Sequence, residues 1–311
     1  MKQTKLNIFG LAMAAFILSA ALFVSCTRDR ILAVNDVEIA YTQEVSESDG
    51  EADITYNDVY DNVMGYNGDG IGVGGGVGIF GRAASIGDGS LDPNTARTDS
   101  LPPCVTVTVS PLAPGVFPKT VTINFGTVGC PGPGGHMRRG IIRTVYTGRM
   151  EVPGSVATTT FDGHYIDSIK VEGTHIVTNQ SAGITKQFNV KVVNGKLTKP
   201  SGRYSKTNKE HTIKQTEGVL TVGFPLDDKF EITGAATREY FNGTATRTWA
   251  SLITEPLVRR FTCPWFLTGK VTITRPVGPV ATLNYAPVNS GTCDNKASIT
   301  VGSLTTIITL P

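Results

Sequence analysis

Asp227 and Asp228 stand side by side after Pro225, and Glu172 lies before Gly173. Carboxyl groups of this kind hydrolyse glycosidic bonds when a fold holds one as an acid and another as a base or nucleophile. The linear spacing does not bring Glu172 to the aspartates, so these residues mark a candidate chemistry rather than a site. Four histidines, His136, His164, His175 and His211, lack the close pairs that hold zinc, and exposed positions on strands are expected for each. Gly70-Ile71-Gly72-Val73-Gly74-Gly75 has the letters of a dinucleotide-binding loop. That loop needs a strand before it and a helix after it to rest phosphate on the helix N-terminus, whereas here a helical pattern precedes and a glycine tract follows. Ser85 lacks the first glycine of a nucleophile elbow, and Asp61, Asn62, Asn67 and Asp69 depart from calcium-loop spacing. Tyr165, Tyr204, Tyr240, Trp249, Trp265 and Phe266 could stack on sugars from a sheet surface, although cross-strand packing is the ordinary role of each. No catalytic residue, metal or cofactor is therefore assigned.

The cysteines carry firmer chemistry. Cys26 is set apart below, and Cys104, Cys130, Cys263 and Cys293 remain, an even number with three pairings possible. Two segments echo each other. Val-Thr-Val-Thr follows Cys104 closely, then come a proline-bounded loop, Thr122-Ile123-Asn124-Phe125 and Cys130; Val271-Thr272-Ile273-Thr274 follows Cys263, then a proline-bounded turn, Thr282-Leu283-Asn284-Tyr285 and Cys293. In a hairpin, paired positions have a constant sum. A turn centred between Val277 and Gly278 pairs position 263 with about 292, which favours Cys263 with Cys293 and, by analogy, Cys104 with Cys130. Free thiols and a zinc site are the competing readings, the latter without the close C-x-x-C pairs of structural zinc.

The elements that must position these residues change character along the chain. Ala52, Tyr56, Val59, Tyr60 and Val63 recur at helical intervals, which predicts a helix from about Gly50 to Met64, capped near Ser48 or Asp49. Residues 65–103 are rich in glycine, proline and small polar residues and read as a linker. From Cys104 to the end, apolar and polar residues alternate as in half-buried strands. Asp162-Gly163, Asn194-Gly195 and Asn242-Gly243 read as tight turns, because aspartate or asparagine before glycine tolerates positive φ, and Glu172-Gly173 reads as a turn on its glycine. The expectation is a mainly β fold, a large antiparallel and largely up-and-down β-domain over 104–311 with roughly 12 to 14 strands.

The start of the chain reads as an export signal over 1–25, with Lys2 and Lys5 ahead of an apolar run from Leu6 to Val24. Leu22-Phe23-Val24-Ser25-Cys26 resembles the lipobox of bacterial lipoproteins, which implies a diacylated Cys26, carrying chains such as palmitate, as the mature N-terminus. Thr27, which is not acidic, points to the outer membrane, facing either the periplasm or the cell surface. Residues 26–64 would then form a lipid-anchored acidic arm.

Net charge of +2 conceals an asymmetry: residues 27–100 carry 14 acids and 4 bases, and residues 101–311 carry 12 acids and 22 bases. Either an acidic arm stands beside a basic domain, or the arm folds against that domain and neutralises it. The bases are scattered, which argues against a nucleic-acid partner; His136-Met137-Arg138-Arg139 with Arg143, and Arg259-Arg260, read as solvated strand faces. The signal, the acidic helix, the glycine tract, and Thr122-Ile123-Asn124-Phe125-Gly126, Val171-Glu172-Gly173-Thr174 and Cys293-Asp294-Asn295-Lys296-Ala297 together resemble a family of Bacteroidota-type envelope lipoproteins. The resemblance implies an envelope location and carries no activity with it. The functional expectation is a non-enzymatic binding or structural module for a glycan or protein partner, with a polysaccharide hydrolase using Asp227 or Asp228 as the alternative.

Overall fold

The computed structural model describes residues 38–60, 63–64, 104–131, 136–220, 227–260, 263, 265–287 and 291–310. Helix α1 occupies 38–60 and 63–64. The strands are β1 (Thr106–Ser110), β2 (Lys119–Asn124), β3 (Cys130–Pro131), β4 (Met137–Tyr146), β5 (Val156–Ile166), β6 (Ile169–Asn179) and β7 (Gln187–Thr198). They continue with β8 (Tyr204–Glu217), β9 (Lys229–Phe241), β10 (Thr246–Arg260), β11 (Thr268–Thr274), β12 (Ala281–Asn284), β13 (Lys296–Val301) and β14 (Leu304–Thr309). All fourteen join one antiparallel, up-and-down sheet with β1 and β14 at its ends, and the short β3 pairs with β4 off the main path.

The sheet curls. Ten ladder steps separate β4 from β14, and strands lie about 4.8 Å apart, so a flat sheet would hold them almost 50 Å apart. Instead Thr309 of β14 lines one cleft with Arg138 of β4 and Ile166 of β5. Helix α1 fills the concavity. Val45, Val59, Tyr60, Val63 and Met64 share a single core with residues such as Trp249, Leu283 and Ile299.

The strands alternate as period two requires, and what they turn inward is unusual. Along β8, Ser205, Thr207, Lys209, Ile213 and Gln215 are buried while Lys206, Asn208, Glu210 and Lys214 face out. Lys209, Arg238 and Arg138 are thus interior cations, and burying a charge is costly without a partner. The helix supplies the partners with Asp49, Asp53 and Asp58. Of the two charge readings, the acidic stretch folding onto the basic half is the one the structure takes.

Several expectations need correction. The helix begins at least twelve residues before Gly50, and Ser48 and Asp49 sit within it rather than capping it. Val45, seven residues before Ala52, is buried with that stripe, although it stands among acids in the part of the arm ahead of the predicted helix. Of the four turn signals, Asn242-Gly243 alone connects two strands. Asp162-Gly163, Glu172-Gly173 and Asn194-Gly195 lie inside β5, β6 and β7, next to register shifts. A β-bulge and a tight turn make the same demand for positive φ, and Gly163 (54°), Gly173 (111°) and Asn194 (51°) all meet it. The β5–β6 hairpin instead turns at Asp167-Ser168, with Asp167 at φ 54°. Arg138 and Arg259 are buried rather than solvated. His164 and His175 are likewise fully buried, not exposed.

Candidate functional site

A cavity of about 300 Å³ lies between one flank of α1 and strands β8 to β12 and β14. Its wall is mainly apolar, built from residues such as Ile253, Leu257, Val271, Ile273, Leu283 and Ile308. Phe266 and Tyr285 close one side, their rings meeting edge to face at 5.0 Å. The exposed helix residues Gln43, Glu47 and Ile54 line its mouth.

The polar part of the cavity is a chain of ion pairs between helix and sheet. Arg238 on β9 approaches Asp49 through Nε at 2.6 Å and donates through Nη2 to Asp53 Oδ1 at 3.0 Å. Lys209 on β8 donates to the same Asp53 oxygen at 3.0 Å, and Trp249 Nε1 on β10 donates to Asp49 at 3.3 Å. Asp58 continues the row by accepting from Arg138 Nη2 at 2.7 Å.

Two neighbouring carboxylates feel opposite fields. Burial pushes Asp49 up to about 6, with Arg238 pulling the other way and Asp53 adding repulsion. Burial would raise Asp53 as well, but Lys209 and Arg238 together hold it well below the usual carboxylate range. His211, also in the cavity lining, is pulled down to about 3 by burial and then by Lys209, so it is neutral near pH 7. Tyr285 is raised, first by burial and then by the two aspartates. Asp49, Asp53, Asp58, Arg238 and Arg259 thus line a charged floor under the aliphatic wall, and Lys209 supports it from behind through Asp53. Such a floor can orient a ligand by hydrogen bonding.

The expected site residues fall as follows. Cys104 is bonded to Cys130 and Cys263 to Cys293, the favoured pairing. Cys26 lies outside the described residues, as do the Gly70–Gly75 motif, Ser85 and the four candidate calcium ligands. Glu172 and the aspartates do not converge: Glu172 sits in register with Lys196, itself beside Lys206 near the start of β8, whereas Asp228 accepts from Gln215 Nε2 near the end of that strand, at 2.6 Å. Asp228 is nonetheless pushed up to about 6, by burial first, with Lys186 opposing and Asp227 adding to the rise. Among the described residues no group of three or more His, Cys, Asp or Glu side chains could hold a metal ion. His136 instead meets Asp167 at 2.8 Å, and His164 stacks on Phe161 with Phe125 tilted against it. Trp265 and Phe266 reach the cavity, Trp249 lies behind Asp49, and Tyr165 packs under Arg139 at 3.9 Å.

No sequence motif marks Arg238, Lys209, Asp49 and Asp53 as site residues, Asp49 reading there only as a helix cap. The available signal was their position: Lys209 and Arg238 occupy inward places in otherwise alternating strands, and Asp49 and Asp53 are one helical turn apart. No protein-family model matches this chain, and no curated protein or solved structure matches it either.

Proposed function

We propose that this chain is a non-enzymatic binding protein of the bacterial cell envelope, held at the outer membrane by acyl groups on Cys26, whose ligand is an apolar small molecule in the cavity beside α1. The observation that carries this reading is the cavity: a largely aliphatic wall, a mouth beside exposed helix residues, and a few polar groups gathered on its floor. That combination is the usual design of a small-molecule site. An aliphatic wall favours an apolar ligand over a glycan, whose hydroxyls would lose water without gaining partners.

Displacement of an environment-sensitive naphthalene dye from the purified chain tests the cavity. Dye should bind to the wild type, and Leu283→Trp, which fills the cavity, should abolish binding while the protein still melts cooperatively. Equal dye binding by both proteins, or none by the wild type, would overturn the reading. Fatty-acid-analogue labelling tests the anchor: label should enter the wild type and be absent from Cys26→Ala.

A hydrolase is the second reading, and Asp228 is the observation in its favour, because a half-buried carboxyl raised to about 6 suits a general acid. It predicts product release from an envelope or dietary polysaccharide that Asp228→Asn abolishes. Binding without turnover across such substrates would leave the first reading standing.

A further inference from the structure

On the cavity floor the carboxylates are taken and one cation has a donor to spare. Asp53 accepts from Lys209 and Arg238, Asp58 from Arg138 and Asp49 from Trp249, and Asp49 is also ion-paired with Arg238 at 2.6 Å. The Arg238 side chain is only 3% exposed. Its Nε and Nη2 face the two aspartates, while its Nη1 has no hydrogen-bond partner among the described residues. Ser46 Oγ, also in the cavity lining and buried, has none there either. A buried N–H without an acceptor costs free energy, and an oxygen arriving with a ligand would recover it.

Size limits what can bring that oxygen. About 300 Å³ lies at the lower end of small-molecule sites, which suits one short hydrocarbon chain and not a folded partner or a two-chain lipid. Charge limits it further. An ammonium head would meet Arg238 as a like charge, and the floor carboxylates Asp49, Asp53 and Asp58 already hold cations; Glu47, which accepts from the Gln43 amide, stands exposed at the mouth.

We propose that the ligand is a single-chain amphiphile whose polar end is an acceptor oxygen, a carboxylate or a hydroxyl, received by Arg238 Nη1 and Ser46 Oγ. Its chain lies along Ile253, Val271, Ile273, Leu283 and Ile308. This proposal rests on the cavity being the binding site and adds the chemistry of the head group.

Dodecanoate, dodecanol and dodecylammonium share one chain and differ only at the head, so their affinities for the full-length protein test the proposal. Dodecanoate and dodecanol should each bind at least about tenfold more tightly than dodecylammonium. Arg238→Lys keeps a positive charge between Asp49 and Asp53 but removes Nη1, and Ser46→Ala removes the hydroxyl from a helix that tolerates alanine; each should erode that preference by about threefold or more. If Arg238→Lys does not fold, Ser46→Ala decides the matter. Dodecylammonium binding as tightly as the oxygen-headed probes, or a wild-type preference in the folded variants, would overturn the head-group assignment alone. Failure of all three probes to bind the wild type would overturn the binding reading together with it.

Discussion

Tyr56 Oη donates to the main-chain carbonyl of Glu172 at 2.8 Å while standing over Gly195, where a Cβ would come within 2.6 Å of that oxygen. The helix is therefore keyed into the sheet where two bulged strands open. Gly173 faces Gly195 across the β6–β7 ladder, and the register shift there leaves the Glu172 carbonyl available to the helix. Tyr56 belongs to a second small core with Ala52, Val171, Val192 and Leu197, which fixes the helix next to the row of ion pairs.

Gly195→Ala should therefore destabilise the protein. The added methyl meets Val192 Cγ1 at 2.6 Å and Thr207 Cγ2 at 2.8 Å as well as Tyr56 Oη, so no single side-chain movement makes room. The expected loss is about 1–3 kcal/mol in urea unfolding. Tyr56→Phe, which keeps the ring and deletes the hydrogen bond, should cost about 1 kcal/mol. A Gly195→Ala protein as stable as the wild type would show that the helix does not dock at the bulge.

Asp53→Ala should be among the most damaging substitutions in the helix. One oxygen of Asp53 receives both Lys209 and Arg238, whose side chains are each 3% exposed, so its removal leaves two buried cations short of a counter-charge. The expected cost is about 3–5 kcal/mol. Solvent-exposed acids such as Glu217 should be replaceable with little effect, and a denaturation series across both classes makes the comparison.

Acid should weaken the fold between about pH 6.5 and 4. His175 is pulled down to about 3, by burial and then by Lys209, and both of its ring nitrogens lack hydrogen-bond partners among the described residues. The unfolded chain binds a proton near pH 6.5 that folded His175 refuses, so this contribution is complete above pH 6.5 and declines as the pH falls towards 3. His164, lowered to about 4, and His211, lowered to about 3, act in the same direction. Asp49 and Asp228, both raised to about 6, act the opposite way: each favours the fold at low pH and loses that contribution as the pH rises through 6. Three histidines outweigh two aspartates. His175→Phe should flatten the pH profile, gaining about 2 kcal/mol at pH 5 relative to its effect at pH 7. An unchanged slope in urea titrations at the two pH values would refute the buried neutral histidine.

Each disulfide ties a hairpin at its open end, Cys104 to Cys130 and Cys263 to Cys293. Closing loops of 26 and 30 residues contributes about 3–4 kcal/mol each in the chain-entropy account. Reduction should add 4 Da to the intact mass and lower the melting temperature. Peptide mapping should recover these two linkages and no crossed pair.

Much of this architecture is visible in the linear chain because its signals are local. Alternation around Val107, Val121 and Ile273 marks strands, and the constant sum of a hairpin brings Cys263 to Cys293 with no tertiary information. Even the misread dipeptides were local signals correctly sensed: Asn194-Gly195 does bend the backbone, but as a bulge that accepts a helix rather than as a turn.

Local patterning in the sequence marks the strands, their antiparallel succession and the helical stripe from Ala52 to Tyr60, and it favours the two cysteine pairs, since each depends on neighbours within a few residues or across one hairpin. The tertiary structure alone decided that an acidic helix would lie inside the sheet, and so where the cavity and its polar floor would be. The physical reason is distance along the chain. Asp58 meets Arg138 across 80 residues and Asp53 meets Arg238 across 185, and charge patterning records the signs of such partners without recording which of them will meet.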